Sequence, residues 1–423
     1  MSDPQPRCSL PAGAGAATLG VRGGQQRTEY GEVAEPLFLT QGYAYDRAAD
    51  AEAAFAGELD IFTYSRYSNP TVAAFEERLR LLEGAEACYA TATGMSALFA
   101  TLAALVGQGG RVVAGKALFG STFVVLEDLL GKWGVRTDYV DAHRMEDWQQ
   151  ALATPADVVL FETPSNPMMD IVDIAAVSEL AHRAGAVVVV DNVFATPVLQ
   201  RPLEFGADLI VYSATKHIDG QGRVMGGAVL GPRDLVCGPI QDFIRNTGPT
   251  LSPFNAWVLV KGLETLALRV RAQSAAALEL ATWLQDHPRV ASVRYPLLTS
   301  HPQYTLAREQ MSGGGTVVSF DLDAGAGLPG ERSAPVAEAG EDEAELIKKR
   351  TFAFLDALQI VDISNNLGDA KSMVTHPGTT THRKLGAQGQ AAIGVSPATV
   401  RLSVGLEDVP DLRADLDQAL RAV

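Results

Sequence analysis

The sequence predicts an α/β protein: a large domain with a mainly parallel sheet covered on both faces, and a smaller α/β domain after it. Three observations carry that reading. Between about Asn69 and Gly231, short β-branched runs alternate with amphipathic helical stretches. Most of the runs are continuously apolar, as strands covered on both faces must be. A chain of 423 residues, 47% apolar and 20% charged, is also long enough for two or three cores.

Taken in order, residues 1–60 show no sustained periodicity and read as an extended arm with a short polar helix at Ala48–Ala56. Helices follow at Thr71–Glu83, Met95–Val106, Thr122–Trp133 and Ile174–Ala184. The strands between them are 111–114, 135–140, 158–161, 187–190 and 209–212. A long helical stretch from Pro253 to about Gln285 leads to the smaller domain. Its strands are Thr316–Leu322, Ile360–Ile363 and Val400–Val404, and a helix closes it near Pro410–Arg421. Residues 324–345, rich in Gly, Pro, Ala, Asp and Glu, read as a surface insertion. There is no convincing internal repeat.

Composition narrows the function. A net charge of −16 argues against nucleic acid or an anionic membrane as partner, since each needs a basic face. Local basic pockets for an anionic substrate are still compatible with it. No apolar run reaches the ~18–20 residues that span a bilayer, and the N-terminus lacks a signal pattern. Cys8, Cys88 and Cys237 are odd in number and far apart, which fits reduced thiols in a cytoplasm. No His/Cys/carboxylate cluster has zinc spacing, so no metal is expected.

The chemistry centres on Ser213-Ala214-Thr215-Lys216, directly after the run Leu209–Tyr212. Lysines are mostly exposed, and alone this one reads as a surface side chain. At the mouth of a buried strand, desolvation makes the amine nucleophilic and suited to an imine with an aldehyde cofactor. The flanking hydroxyls then suit a phosphate, and the cofactor is pyridoxal 5′-phosphate. Polar residues end three buried runs: Glu162-Thr163, Asp191-Asn192 and Ser213. Ligands sit at that edge of parallel sheets. Asp191 alone reads as a turn residue; with Lys216 it suits the cofactor's pyridine nitrogen, held protonated by a carboxylate. Thr93-Gly94-Met95-Ser96 opens a helix and reads either as an ordinary cap or as free N–H groups set to face an anion. In Tyr64-Ser65-Arg66, the arginine is either a phosphate fork or an ordinary surface side chain. Phe119 is either a ring stacked on the pyridine or a core residue.

With its following Gly226-Gly227, the Ser-Ala-Thr-Lys motif resembles that of the cysteine/methionine-metabolism family of pyridoxal-phosphate enzymes, from about Thr18 to Leu420. The resemblance implies the aspartate-aminotransferase-like type I fold with a seven-stranded sheet. Its domains would be an arm at 1–66 reaching a neighbouring subunit, a cofactor domain at 67–260 and a C-terminal domain at 261–423. It implies Lys216 as Schiff base and proton shuttle, and Asp191 on the ring nitrogen. Gly94, Met95, Ser213 and Thr215 would bind phosphate, joined by Tyr64 and Arg66 from the neighbouring subunit. Asn166 would reach the substrate carboxylate or cofactor oxygen, Arg401 would clamp the α-carboxylate, and Asn366 would sit beside the substrate. A cytoplasmic homotetramer, a dimer of dimers, is implied as well.

Within the family, Phe119 stands where most relatives have tyrosine, Ser121 where methionine γ-lyases carry cysteine, and Asn366 where serine is more common. These features most resemble the O-succinylhomoserine sulfhydrylases, transferases that act on an activated homoserine ester and sulfide in methionine biosynthesis. Cystathionine γ-synthase and the γ-lyases are the alternatives. Lyases expel a thiolate and need acid assistance, whereas an ester expels a carboxylate of pKa about 4 that leaves unprotonated. A nucleotide-binding module is disfavoured, because no Gly-x-Gly-x-x-Gly follows a strand and there is no phosphate-loop Gly-Lys-Ser/Thr.

Overall fold

The computed structural model describes residues 10, 11, 13–323 and 341–422. Twelve strands occur among them: β1 Ala87–Thr91, β2 Arg111–Gly115, β3 Arg136–Val140, β4 Val158–Glu162, β5 Val187–Asp191, β6 Leu209–Ser213, β7 Gly227–Gly231, β8 Val290–Arg294, β9 Val317–Leu322, β10 Asp362–Ile363, β11 Met373–Thr375 and β12 Thr399–Ser403. Seven form one sheet in the order β1-β7-β6-β5-β4-β2-β3, and five form a second in the order β10-β11-β12-β9-β8.

The chain divides into two compact units, Met1–Leu105 with Asp208–Ala267, and Val106–Ala207 with Leu268–Val423. In the first, β7 pairs antiparallel with both β1 and β6. Its helices include α1 Ala16–Arg22, α2 Ala48–Phe55, α3 Pro70–Glu83 and α4 Gly94–Leu105. Helix α3 shows why such segments form. Asn69 caps it by accepting from Thr71 N at 2.9 Å, Pro70 occupies the first turn, and Gly84 ends it at φ 80°. Phe75, Leu79 and Leu82 are buried along one face, each stabilising the fold by about 1.5–3 kcal/mol. The cap's amide also donates to Phe38 O, Tyr43 Oη and Ser65 Oγ, which ties the segment before α3 to the helix.

In the second unit, β2 pairs parallel with β3 and β4, and β4 with β5. Strand β4 is buried at every position, as the continuous apolar run requires. The smaller sheet is largely antiparallel, with only β10 and β11 parallel. Its core gathers Tyr295, Phe320, Phe354 and Leu416.

The mainly parallel large sheet and all the expected strands are present. The differences have local causes. The stretch from Pro253 to Gln285 is two helices, Pro253–Glu264 and Leu266–Gln285, because the chain turns at Thr265, whose N–H bonds Gly262 O. The Thr122–Trp133 helix is a four-residue α-turn at Gly120–Phe123 that continues as π and 3-10 turns to Trp133. Strands β1, β7, β8 and β11 and helix α1 are additional. Most of the segment read as an insertion, 324–340, lies outside the described residues, as does Cys8. Residues 341–345 begin the helix Glu341–Ala357.

Candidate functional site

In the first unit, β6 ends at Ser213 and the chain turns, with Lys216 N bonded to Ser213 O and Gly220 N to Lys216 O. Lys216 is therefore half-buried just past the end of a buried strand. Beside it begins α4. Thr93 Oγ1 accepts from Ser96 N, and Thr93 O from Ala97 N, so the cap leaves the Gly94 and Met95 N–H groups as the remaining first-turn donors. A Cβ on Gly94 would lie 2.5 Å from Ser213 Cβ, and one on Gly227 only 2.2 Å from Thr93 O. Both glycines are required by close approach, which brings the helix terminus against the end of β6. An anion placed there meets two backbone donors and the Ser213 hydroxyl. The Thr215 hydroxyl exchanges hydrogen bonds with the Gly226 backbone.

Tyr64 and Arg66 come together in the same unit. The Arg66 guanidinium lies over the Tyr67 ring at 4.6 Å and the Tyr64 ring at 5.6 Å, and it donates to Arg245 O. Within one chain this arginine is thus held by aromatic faces and a carbonyl. Tyr64 is 42% exposed.

In the second unit, Glu162 and Asp191 end β4 and β5 as paired positions. Burial pushes both carboxyls up, and Glu162 further because Asp191's charge is beside it. Both shifts favour fewer than two charges on the pair, and the push is larger on Glu162. Glu162 accepts from Phe119 N at 2.6 Å, fixing the turn that carries Phe119. Asp191 accepts from Val193 N. A half-buried carboxylate with its pKa raised and no ion pair among the described residues fits a protonated ring nitrogen.

Arg401 sits in the middle of β12, paired with β11 and β9, with its side chain buried. Its Nη1 donates to Asn166 Oδ1 at 3.1 Å, and Nη2 donates to the carbonyls of Asn365 and Asn366. Its Nε is buried without a hydrogen-bond partner among the described residues. Arg401 makes no ion pair there, and burial alone pulls its pKa down to about 10. A buried guanidinium lacking a counter-ion is a site for an incoming carboxylate. Asn366 serves it through its backbone carbonyl. His382, absent from the sequence-based candidates, donates from Nε2 to Asn166 O, which leaves Nδ1 to accept from Thr381 Oγ1. Burial and then Arg401 push its pKa down to about 4, so it is neutral. The sequence marks Glu162 only as a polar residue ending its strand and gives it no role of its own.

The residues thus form two constellations. Gly94, Met95, Ser213, Thr215 and Lys216 gather in one unit; Phe119, Glu162, Asp191, Asn166, Arg401 and Asn366 lie in the other. Their chemistry fits an aldehyde cofactor with a phosphate and a ring nitrogen, and a substrate with a carboxylate.

Residues 17–421 match the model of the Cys/Met metabolism PLP-dependent enzymes. The chain is 58% identical over 97% of its length, and 97% of theirs, to O-succinylhomoserine sulfhydrylase of Mycobacterium tuberculosis. It is 46% identical to the Pseudomonas aeruginosa O-succinylhomoserine sulfhydrylase, covering 97% of this chain and 96% of that one. A solved cystathionine gamma synthase from Xanthomonas oryzae pv. oryzae matches with a TM-score of 0.86 and 34% identity, over 97% of this chain and 98% of that one.

Proposed function

The chain belongs to the Cys/Met metabolism PLP-dependent enzyme family, and from that premise we propose that it joins sulfide to an activated homoserine ester. The ester is O-succinyl-L-homoserine or O-acetyl-L-homoserine, and the product is L-homocysteine, in methionine biosynthesis. The fold is the type I, aspartate-aminotransferase-like arrangement. The observation that carries this reading is the likeness to an O-succinylhomoserine sulfhydrylase over 97% of both chains.

Bound pyridoxal 5′-phosphate supplies an electron-withdrawing ring that stabilises negative charge on the substrate carbon skeleton. Lys216 anchors it, then removes the Cα proton and later returns one. Asp191 holds the proton at the ring nitrogen, and Glu162, pushed further towards its neutral form, competes less for it. The Gly94 and Met95 amides and the Ser213 hydroxyl would hold the phosphate, joined by the Thr215 hydroxyl once it gives up Gly226 O, while Phe119 would cover the ring. Arg401, steadied by Asn166 and the Asn365-Asn366 carbonyls, takes the substrate α-carboxylate. The leaving carboxylate, of pKa about 4, needs no proton, which suits a ring stacker without a hydroxyl.

Tyr64 and Arg66 of the neighbouring subunit complete the site in a dimer, paired into a cytoplasmic tetramer. The exposed Val33, Leu39 and Phe55 on the arm support that assembly, since they leave apolar surface to cover. Among the described residues, no helix is long and apolar enough to cross a membrane.

The test is a steady-state assay of the purified enzyme with each ester and sulfide, then with cysteine replacing sulfide. Homocysteine as the main product supports the reading. Cystathionine as the preferred product would make the enzyme a γ-synthase, and release of ammonia and a keto acid without sulfide uptake would make it a lyase.

A further inference from the structure

Resting on that reading, we infer that Lys384 and the cavity it lines bind the leaving group and select an acyl chain ending in a carboxylate. The cavity measures about 590 Å³ and lies within the second unit. Its wall includes Phe119, Ser121, Ser364, Asn365, Thr381 and Lys384. Lys384 is the single cation of that lining, which holds no Asp or Glu among the described residues, in a chain of net charge −16. Lys384 makes no ion pair among the described residues.

The walls give the cavity a direction. Asn365, on one side, uses its carbonyl to accept from Arg401 Nη2 at 2.8 Å, so the cavity opens next to the guanidinium assigned to the α-carboxylate. Phe119, assigned to the cofactor ring, forms another part of the wall. The turn bearing Thr381 and Lys384 packs against Gly120 so closely that a Cβ there would lie 2.7 Å from Thr381 O. A substituent on Cγ of a substrate held by Arg401 and stacked near Phe119 extends into this space. Ser364 Oγ accepts from Asn366 N and keeps its O–H as a donor. The Thr381 hydroxyl is already spent on His382 Nδ1. A succinyl chain brings its distal carboxylate to the Lys384 ammonium and the Ser364 hydroxyl, a charge-assisted pairing. An acetyl group ends in a methyl and offers them nothing.

The experiment compares kcat/KM for O-succinyl- and O-acetyl-L-homoserine at one sulfide concentration, in the parent enzyme and in Lys384→Gln and Lys384→Arg. The expected result is a parent that prefers the succinyl ester. The succinyl-to-acetyl ratio should fall about tenfold in the Gln variant and be largely kept in the Arg variant. Inhibition by free succinate, but not by acetate, should weaken by about the same factor in the Gln variant. A ratio within about twofold of the parent's in Lys384→Gln, or a parent that prefers the acetyl ester, overturns the inference while γ-replacement stands. A parent that turns over neither ester overturns the proposed function and this inference with it.

Discussion

Two carboxyls at adjacent strand ends resist a double charge, because burial and mutual repulsion raise their pKa values, and that organises the site at the scale of single residues. Glu162 is pushed further towards its neutral form and accepts from Phe119 N. Asp191 keeps the charge that a protonated ring nitrogen needs. Replacing Asp191 with Asn removes that charge at nearly constant volume. We expect kcat to fall by roughly 100-fold or more, while the visible absorbance of bound cofactor persists. A variant with undiminished turnover would remove Asp191 from the mechanism. Arg401 follows the same logic with the sign reversed: burial lowers its pKa and no carboxylate answers it. Its Nε waits for an acceptor that the described residues do not supply.

At the scale of elements, the fit between α4 and β6 depends on a missing side chain. Gly94→Ala forces a Cβ to within 2.5 Å of Ser213 Cβ. We expect about 1–3 kcal/mol of lost stability from the overpacking, with weaker cofactor binding. Denaturant unfolding and a cofactor titration check both, and unchanged values would contradict the close approach. Helix α3 carries a second test. Glu76 accepts from Ala90 N at 2.7 Å, and burial raises its pKa to about 7. A folded-state pKa above the unfolded one gives stability that is full below about pH 4.5 and lost as pH rises through 7. Glu76→Gln keeps the acceptor without the charge. It should match the parent near pH 4.5 and exceed it above pH 7 by about 1–2 kcal/mol, discounted for the cavity that Glu76 lines. Parallel melting curves across that range decide it, and a constant difference would refute the titration.

At the scale of the whole molecule, the proposed dimer makes each site a product of two chains. Lys216→Ala and Arg66→Ala chains should each be nearly inactive, yet a mixed dimer contains one site with both native residues. Unfolding and refolding an equal mixture should therefore recover roughly a quarter of parental activity. No recovery, in a sample shown to exchange subunits, would place Arg66 with its own chain's site.

Much of this was legible in the residues alone, and the boundary is physical. Strands β2, β4, β5 and β6 announce themselves because burial on both faces demands continuous apolar runs, whereas β3, at the sheet edge, is polar and largely exposed. Ala87–Thr91 and Gly227–Gly231 do not, since their small residues, with only Tyr89, Val229 and Leu230 large, carry little periodic signal. The turn at Thr265 is hidden because apolar spacing runs straight through it. Chemistry written in consecutive residues was equally readable: the lysine after its strand, the paired glycines, the strand-ending aspartate. What only the tertiary structure decided involves partners distant in the chain. Glu162 beside Asp191, Arg401 without a counter-ion among the described residues, and Lys384 lining one cavity with Ser364 depend on proximity and desolvation. Neither quantity exists until the chain has folded.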